Sequence, residues 1–300
     1  MNKQQKHNKK LQYYSGGISF TLVFIMAIIK VIGYYISGSV SIMASFIDSG
    51  SDFFTTIISL IAITASLKPA DRNHGYGHEK AGSIGALFEG TFIFICGIFL
   101  LFQAIHNFIY KPELSIDIYS ILIMVVSLIL TCCLVLFQRY VYKKTNSIII
   151  KADILNYTGD IFTTLAVIVS LLLTKFLGIS NIDIIFGLLI ALFLCKNAKA
   201  LIKESLDVLM DKEIDKNLKN QIKHLIKHHE NILGFHDFRT RFSGNTNYIE
   251  IHVELDGNLK FKTAHEIVHQ LKDEILKLNP NMQVIIHEDI HNSRKRNHVN

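Results

Sequence analysis

Residues 40–67, VSIMASFIDSGSDFFTTIISLIAITASL, set the reading of this chain. The stretch is longer than the ~20 residues needed to cross a bilayer core, yet it carries Asp48 and Asp52 inside it. Ionisable side chains at membrane depth are costly and face a cavity or a partner. An interval of four residues puts both carboxylates on one helical face. Similar apolar stretches lie near 14–36, 82–109, 117–142, 150–176 and 182–208, which predicts six membrane helices. The fifth repeats the pattern of the second, with Asn156 and Asp160 four apart in ADILNYTGDIF, residues 152–162. Two pairs of oxygen ligands on facing helices can surround one cation. A single intramembrane Asp would equally suit a helix cap or an interhelical hydrogen bond, but two matched pairs favour a cation site. Glu89, alone in the third stretch, reads as a packing or proton-linked residue rather than a ligand.

Half of the 300 residues are hydrophobic, and the mean hydropathy is +0.32. That apolarity is concentrated before Asp211, and from there the chain reads as a soluble domain rich in Lys, Asp, Glu and His. The expected parts are an N-terminal tail (1–13), a transmembrane domain (14–208), a cytoplasmic metal-binding and dimerisation domain (209–292) and a basic tail (293–300). The first apolar stretch is too long for the h-region of a signal peptide, so it is expected to remain as a span. Lys3, Lys6, Lys9, Lys10, Lys68, Arg72, Lys80, Arg139, Lys143, Lys144 and Lys151 fall on one side of the six spans, and little beyond Lys111 and Lys175 on the other. The positive-inside rule therefore predicts both termini in the cytoplasm. The net charge of +6 is explained by these flanking residues, so no nucleic-acid partner is expected. Cys96, Cys132, Cys133 and Cys195 all lie in apolar segments, which excludes a disulfide framework or a zinc ribbon.

Between the second and third spans, Asp71, His74 and His78 offer a carboxylate and two imidazoles at a spacing that can bind zinc from a loop; a polar interfacial loop is the alternative. Gly75-Tyr76-Gly77 has neither the pore helix nor the preceding Thr-Val of a potassium filter. Ten of the fourteen histidines fall between His224 and His298. The pattern there predicts helix 213–229, strands 237–242 and 247–255, helix 262–278 and strand 282–287, a small α+β sandwich with its helices on one face. Alternation along 248–255 puts His252 on the polar face with Glu250 and Glu254, and His287 and Asp289 share a face. His265-Glu266-Ile-Val-His269 matches the zinc-protease signature HExxH, but it lies on a polar amphipathic helix with no third ligand evident. A protease is therefore disfavoured, and no enzyme activity or organic cofactor is expected.

Six segments together resemble the cation diffusion facilitator family, in particular its bacterial ferrous-iron and zinc efflux branch. They are GSVSIMASFIDSGSD (38–52), LKPADRNHGYGHEKAGS (67–83), FQRYV (137–141), KADILNYTGD (151–160), HDFRTRFSG (236–244) and VIIHED (284–289), so the resemblance spans nearly the whole chain. It implies a polytopic helical membrane protein with a C-terminal ferredoxin-like α+β domain. It also implies a homodimer that exports divalent metal (Zn²⁺, Fe²⁺ or Mn²⁺) in exchange for protons. By matching positions, Asp48, Asp52, Asn156 and Asp160 are implied as the transport site, and Asp71, His74 and His78 as a loop metal site. His236, His252, His265, His287 and Asp289 are implied as a binuclear cytoplasmic site bridged by Asp289, and Lys80 with Asp211 as a charge pair across the dimer. The remaining histidines (His224, His228, His229, His291 and His298) are read as exposed surface groups. The branch carries His where this chain has Asn156. An amide oxygen is harder than imidazole and cannot titrate, so weaker zinc selectivity and altered proton coupling are expected. A metal sensor that has lost transport is the rival reading. The abundance of Ile, Lys and Asn with no Trp points to an AT-rich genome and a bacterial inner membrane.

Overall fold

The computed structural model describes residues 3–37, 40–110, 118–177 and 182–291. The side chains of Asp48, Lys111 and Lys175, and the basic tail 293–300, lie outside the described residues. The chain divides into two compact units, Met1–Asp207 and Val208–Asn300.

The first unit is built of long helices: α1 (Lys3–Ser37), α2 (Val40–Ser66), α3 (Lys80–Tyr110), α4 (Ile118–Thr145), α5 (Ile148–Leu177) and α6 (Ile182–Leu209). Helices satisfy every backbone polar group within the segment, which a lipid environment demands. Among the described residues, His7–Ile29, Lys80–His106 and Met124–Thr145 are long and apolar enough to cross a membrane. Large apolar side chains such as Phe88, Phe99 and Phe102 are exposed on the outside of the bundle, as lipid-facing residues are. Inside, small residues let helices touch. A Cβ at Gly85 would stand 2.3 Å from the Ala62 Cβ, so α2 and α3 meet there with no room for a side chain. Tyr157 is buried among Val23, Met26, Leu134 and Val135, which ties α5 to α1 and α4.

Two boundaries move from their expected places. Helix α1 starts at Lys3 rather than near residue 14, because Lys and Gln are good helix formers and continue the coil beyond the apolar stretch. Helix α4 runs on through Lys143 and Lys144, whose cations suit a helix C-terminus. Asn146, at φ 49°, then turns the chain sharply into α5.

The second unit has α7 (Lys216–Lys227), β1 (Gly234–Phe242), β2 (Asn247–Leu255), α8 (Phe261–Leu278) and β3 (Met282–Ile290). Its sheet order is β1-β2-β3, with β1 antiparallel and β3 parallel to β2. Ile249, Ile251, Val253 and Leu255 of β2 point to one side and bury against Ile222 and Ile226 of α7 and Ile267, Leu271 and Ile275 of α8. The strand period of two then leaves Glu250, His252 and Glu254 on the other face. Asp215 caps α7, accepting from the Asn217 and Leu218 amides, which is why the helix starts later than residue 213. Strand β1 begins earlier than expected and absorbs an irregularity between His236 and Arg239, with Asp237 at φ 46°.

Candidate metal sites

On α2 and α5 the bundle brings together the carboxylate and the amide that sequence spacing placed on single faces. The Asn156 Nδ2 approaches the Asp52 Oδ1 at 3.4 Å, and both side chains are partly buried. Asp160, one turn further along α5, is partly buried as well. One turn from Asp52 toward the end of α2, Thr56 donates to the Asp52 carbonyl at 2.6 Å, and its hydroxyl lies 2.6 Å from that of Tyr157. The local donor set is therefore oxygen-rich, which suits hard or borderline divalent cations.

The loop after α2 forms a second cluster in which Asp71, His74 and His78 can each point a ligand atom within 4.8 Å of the others. Asp71 Oδ1 accepts from the backbone amides of Asn73 (2.9 Å) and His74 (2.7 Å), so the carboxylate is fixed by its own turn. The His74 amide in particular holds the Asp71 carboxyl below its ordinary value of 3.8. His78 Nδ1 lies 3.2 Å from the Pro69 carbonyl. Its Nε2 faces Asp71 Oδ2 at 3.4 Å. Orienting one imidazole nitrogen through a carbonyl on the other is the usual outer support of a metal-binding histidine.

In the cytoplasmic unit the strand register creates what the sequence shows only in pieces. His252 is opposite His236 on one side and His287 on the other, so three imidazoles form a row across three strands. In the next row on the same face Glu254 is opposite Asp289. Asp289 Oδ2 lies 2.9 Å from His252 Nδ1 and 3.2 Å from His236 Nε2, while its Oδ1 lies 3.7 Å from His287 Nε2. The His252 hydrogen bond, then the charges of His287, His252 and His236, hold the Asp289 carboxyl below 3.8 against a partial burial that raises it. Ligand atoms of His252, His287 and Asp289 fall within 4.8 Å of one another, as do those of His236, Asp237 and His252. Imidazole and carboxylate together suit zinc and iron.

Asp237, Glu254 and His291 were missing from the site as read from the sequence. Glu254 Oε1 lies 3.0 Å from His236 Nδ1, and its Oε2 lies 2.7 Å from His291 Nδ1. His236 is thus held between two carboxylates, and His291, exposed as expected, pairs with Glu254. The signal for Glu254 was its place two residues after His252 on one strand face. His265 is not gathered into this cluster within one chain; its Nδ1 is 4.0 Å from Glu288 on the neighbouring strand. The His265 and His269 rings of the HExxH match meet edge to face at 4.4 Å, but among the described residues no third ligand groups with them. Asp211 is held by Arg241 at 3.2 Å inside its own unit.

Residues 17–210 match the cation efflux transmembrane domain, and residues 214–291 match the cytoplasmic domain of cation efflux proteins, a dimerisation domain. The chain belongs to the cation diffusion facilitator family. It is 34% identical over 274 residues to Protein p34 of Rickettsia prowazekii, covering 91% of this chain and 90% of that one. It is 34% identical over 265 residues to the cation-efflux pump FieF of Cronobacter sakazakii, with 88% of each covered. The C-terminal unit is similar to a solved metal-bound C-terminal domain of the CzcD transporter from Thermotoga maritima, with 26% identity over 26% of this chain and 94% of that domain and a TM-score of 0.24. Membership makes this chain a multi-pass membrane protein that transports cations and is not an enzyme.

Proposed function

We propose that the chain is a homodimeric antiporter that exports a divalent metal ion in exchange for protons across a bacterial inner membrane, with both termini in the cytoplasm. Six crossings, with α1 to α6 as the spans, fit the sorting of basic residues to one side. The single observation that carries the transport site is the approach of Asn156 on α5 to Asp52 on α2 in the interior of an apolar bundle. Asp160 and Asp48 complete the set by their helical spacing. A cation entering this site displaces protons from the carboxylates and leaves on the far side as α2 and α5 move together. Only a site that holds metal with different affinity in two conformations can drive such motion.

The loop cluster of Asp71, His74 and His78 and the cytoplasmic row of His236, His252, His287 and Asp289 act in this scheme as regulatory metal sites. His265 joins the second from the partner across the dimer, and Lys80 pairs with Asp211 between protomers. The oxygen-rich character of a transport site with Asn156 supports Fe²⁺ and Mn²⁺ alongside Zn²⁺ as cargo.

The test is flux of labelled Zn²⁺, Mn²⁺ and Fe²⁺ into proteoliposomes against an imposed pH gradient. D160A and D52A are expected to abolish flux while the protein still purifies as a dimer. Undiminished flux in D160A would remove the α2–α5 site from the mechanism, and no flux of any of the three ions in the wild type would favour a sensor.

A further inference from the structure

One turn away from the proposed transport site lies a buried polar cluster outside its ligand set. Glu89 of α3 is 1% exposed, and Asp153 of α5 is 4% exposed. Each carboxyl is an electrostatic neighbour of the other, and Ser59 of α2 stands beside both. Gln138 of α4 donates to Asp153 Oδ2 at 3.1 Å and to Ser19 of α1 at 2.9 Å. Among the described residues neither oxygen of Glu89 has a hydrogen-bond partner, nor has the Ser59 hydroxyl. Among the described residues no lysine or arginine pairs with either acid. Among the described residues the titratable group that faces both acids is Tyr157 of α5, which also senses Asp52 of α2, while α1 and α4 contribute Ser19 and Gln138.

Two carboxylates side by side in a dry bundle, without a cation, repel each other and lack solvation. A proton held between them removes one charge and supplies the hydrogen-bond donor that Glu89 lacks. Hydroxyl groups also lie between the pair and the transport site. Tyr157 follows Asp153 by one helical turn, and its hydroxyl lies 2.6 Å from that of Thr56, which donates to the Asp52 carbonyl. Position 156 carries no titratable group, so this acid pair stands as a further proton store beside a site whose own titratable groups are its carboxylates.

We propose that Glu89 and Asp153 hold one proton between them and release it toward the cytoplasm when a divalent cation occupies the site at Asp52, Asn156 and Asp160. The proposal rests on the antiporter reading above. In the step one carboxyl O–H bond breaks and the proton passes to water. The pair goes from one negative charge to two, and the two positive charges of the arriving ion offset the change. When the ion leaves outward, the pair takes a proton again. By reciprocity, a proton on the pair weakens metal binding by the factor that metal weakens proton binding.

The experiment uses the full chain in vesicles that enclose a pH-sensitive dye, with labelled Mn²⁺ or Zn²⁺ counted in parallel. E89Q is expected to keep the number of metal ions bound per chain in equilibrium dialysis. It should lose about one proton moved per ion carried, and the pH dependence of its flux should flatten. E89Q/D153N should lose no more than E89Q, since one shared proton is removed only once. An unchanged proton-to-metal ratio in E89Q overturns the proposal, and so does the loss of a bound metal ion, which would make the pair a ligand set. A wild type that carries metal without moving protons would instead overturn the antiporter reading itself. If E89Q does not assemble, the infrared difference spectrum of the wild type on metal addition decides. It should show the loss of a protonated carboxyl band that shifts in deuterated water, and no such band would overturn the proposal.

Discussion

Asn156 and Glu254 are residues whose neighbours decide what they do. Asn156 presents an amide against Asp52 at 3.4 Å, where an imidazole would present a softer ligand that also binds protons. N156H is therefore expected to raise zinc flux relative to manganese flux and to steepen the dependence of flux on pH; competition flux across a pH series measures both. Glu254 orients His236 from behind, at 3.0 Å from Nδ1, while Nε2 faces Asp289. Outer partners of this kind are worth about 10- to 100-fold in metal affinity, so E254Q should weaken metal binding by the cytoplasmic unit on that scale in titration calorimetry. The depressed carboxyl of Asp289 carries a pH signature of its own. Its pKa in the folded chain lies below the ordinary 3.8, so its stabilising contribution is complete above that value and is lost as pH falls through the folded value. In metal-free protein, D289N should therefore lose less stability than the wild type between neutral pH and strong acid, as read by thermal melting. The candidate histidines were each visible in the sequence. Glu254 was visible only as a member of a strand face, because nothing in sequence says which imidazole a carboxylate will support.

Elements followed their patterns closely where one physical rule governs. Alternation in β2 assigned Ile249, Ile251 and Val253 to the core and His252 to the open face, and burial agrees. Ile251 is fully buried, so I251A should cost about 2–5 kcal/mol in denaturant unfolding of the C-terminal unit. I285A, at a position 58% exposed on β3, should cost far less. Helix ends were set by chemistry that periodicity does not register. Asp215 accepts two amides at the start of α7, and D215A should lower stability by about 1 kcal/mol in the same assay. The six apolar stretches were evident because membrane length is a strong constraint, whereas the start of α1 was not, since polar helix formers extend it without any apolar signal.

At the scale of the whole molecule the transporter couples a membrane unit to a metal-binding unit of the dimerisation family. Metal that binds the folded C-terminal unit and not the unfolded chain stabilises it by mass action, by about 2.7 kcal/mol at a hundredfold excess over the dissociation constant. Chelation should accordingly lower the melting temperature and loosen the dimer in size-exclusion runs, and H252A should abolish the difference between chelated and metal-loaded protein. The sequence by itself determined the class of the protein, because apolar length, the sorting of basic residues and the four-residue spacing of Asp48 with Asp52 and Asn156 with Asp160 are local properties of single segments. Only tertiary structure decided which segments meet. Strand register set His236, His252 and His287 in one row, helix packing brought Asn156 to Asp52, and the crossing of α3 and α5 buried Glu89 beside Asp153. Such juxtapositions depend on how side chains from distant segments fill one interior, and no short-range pattern encodes that.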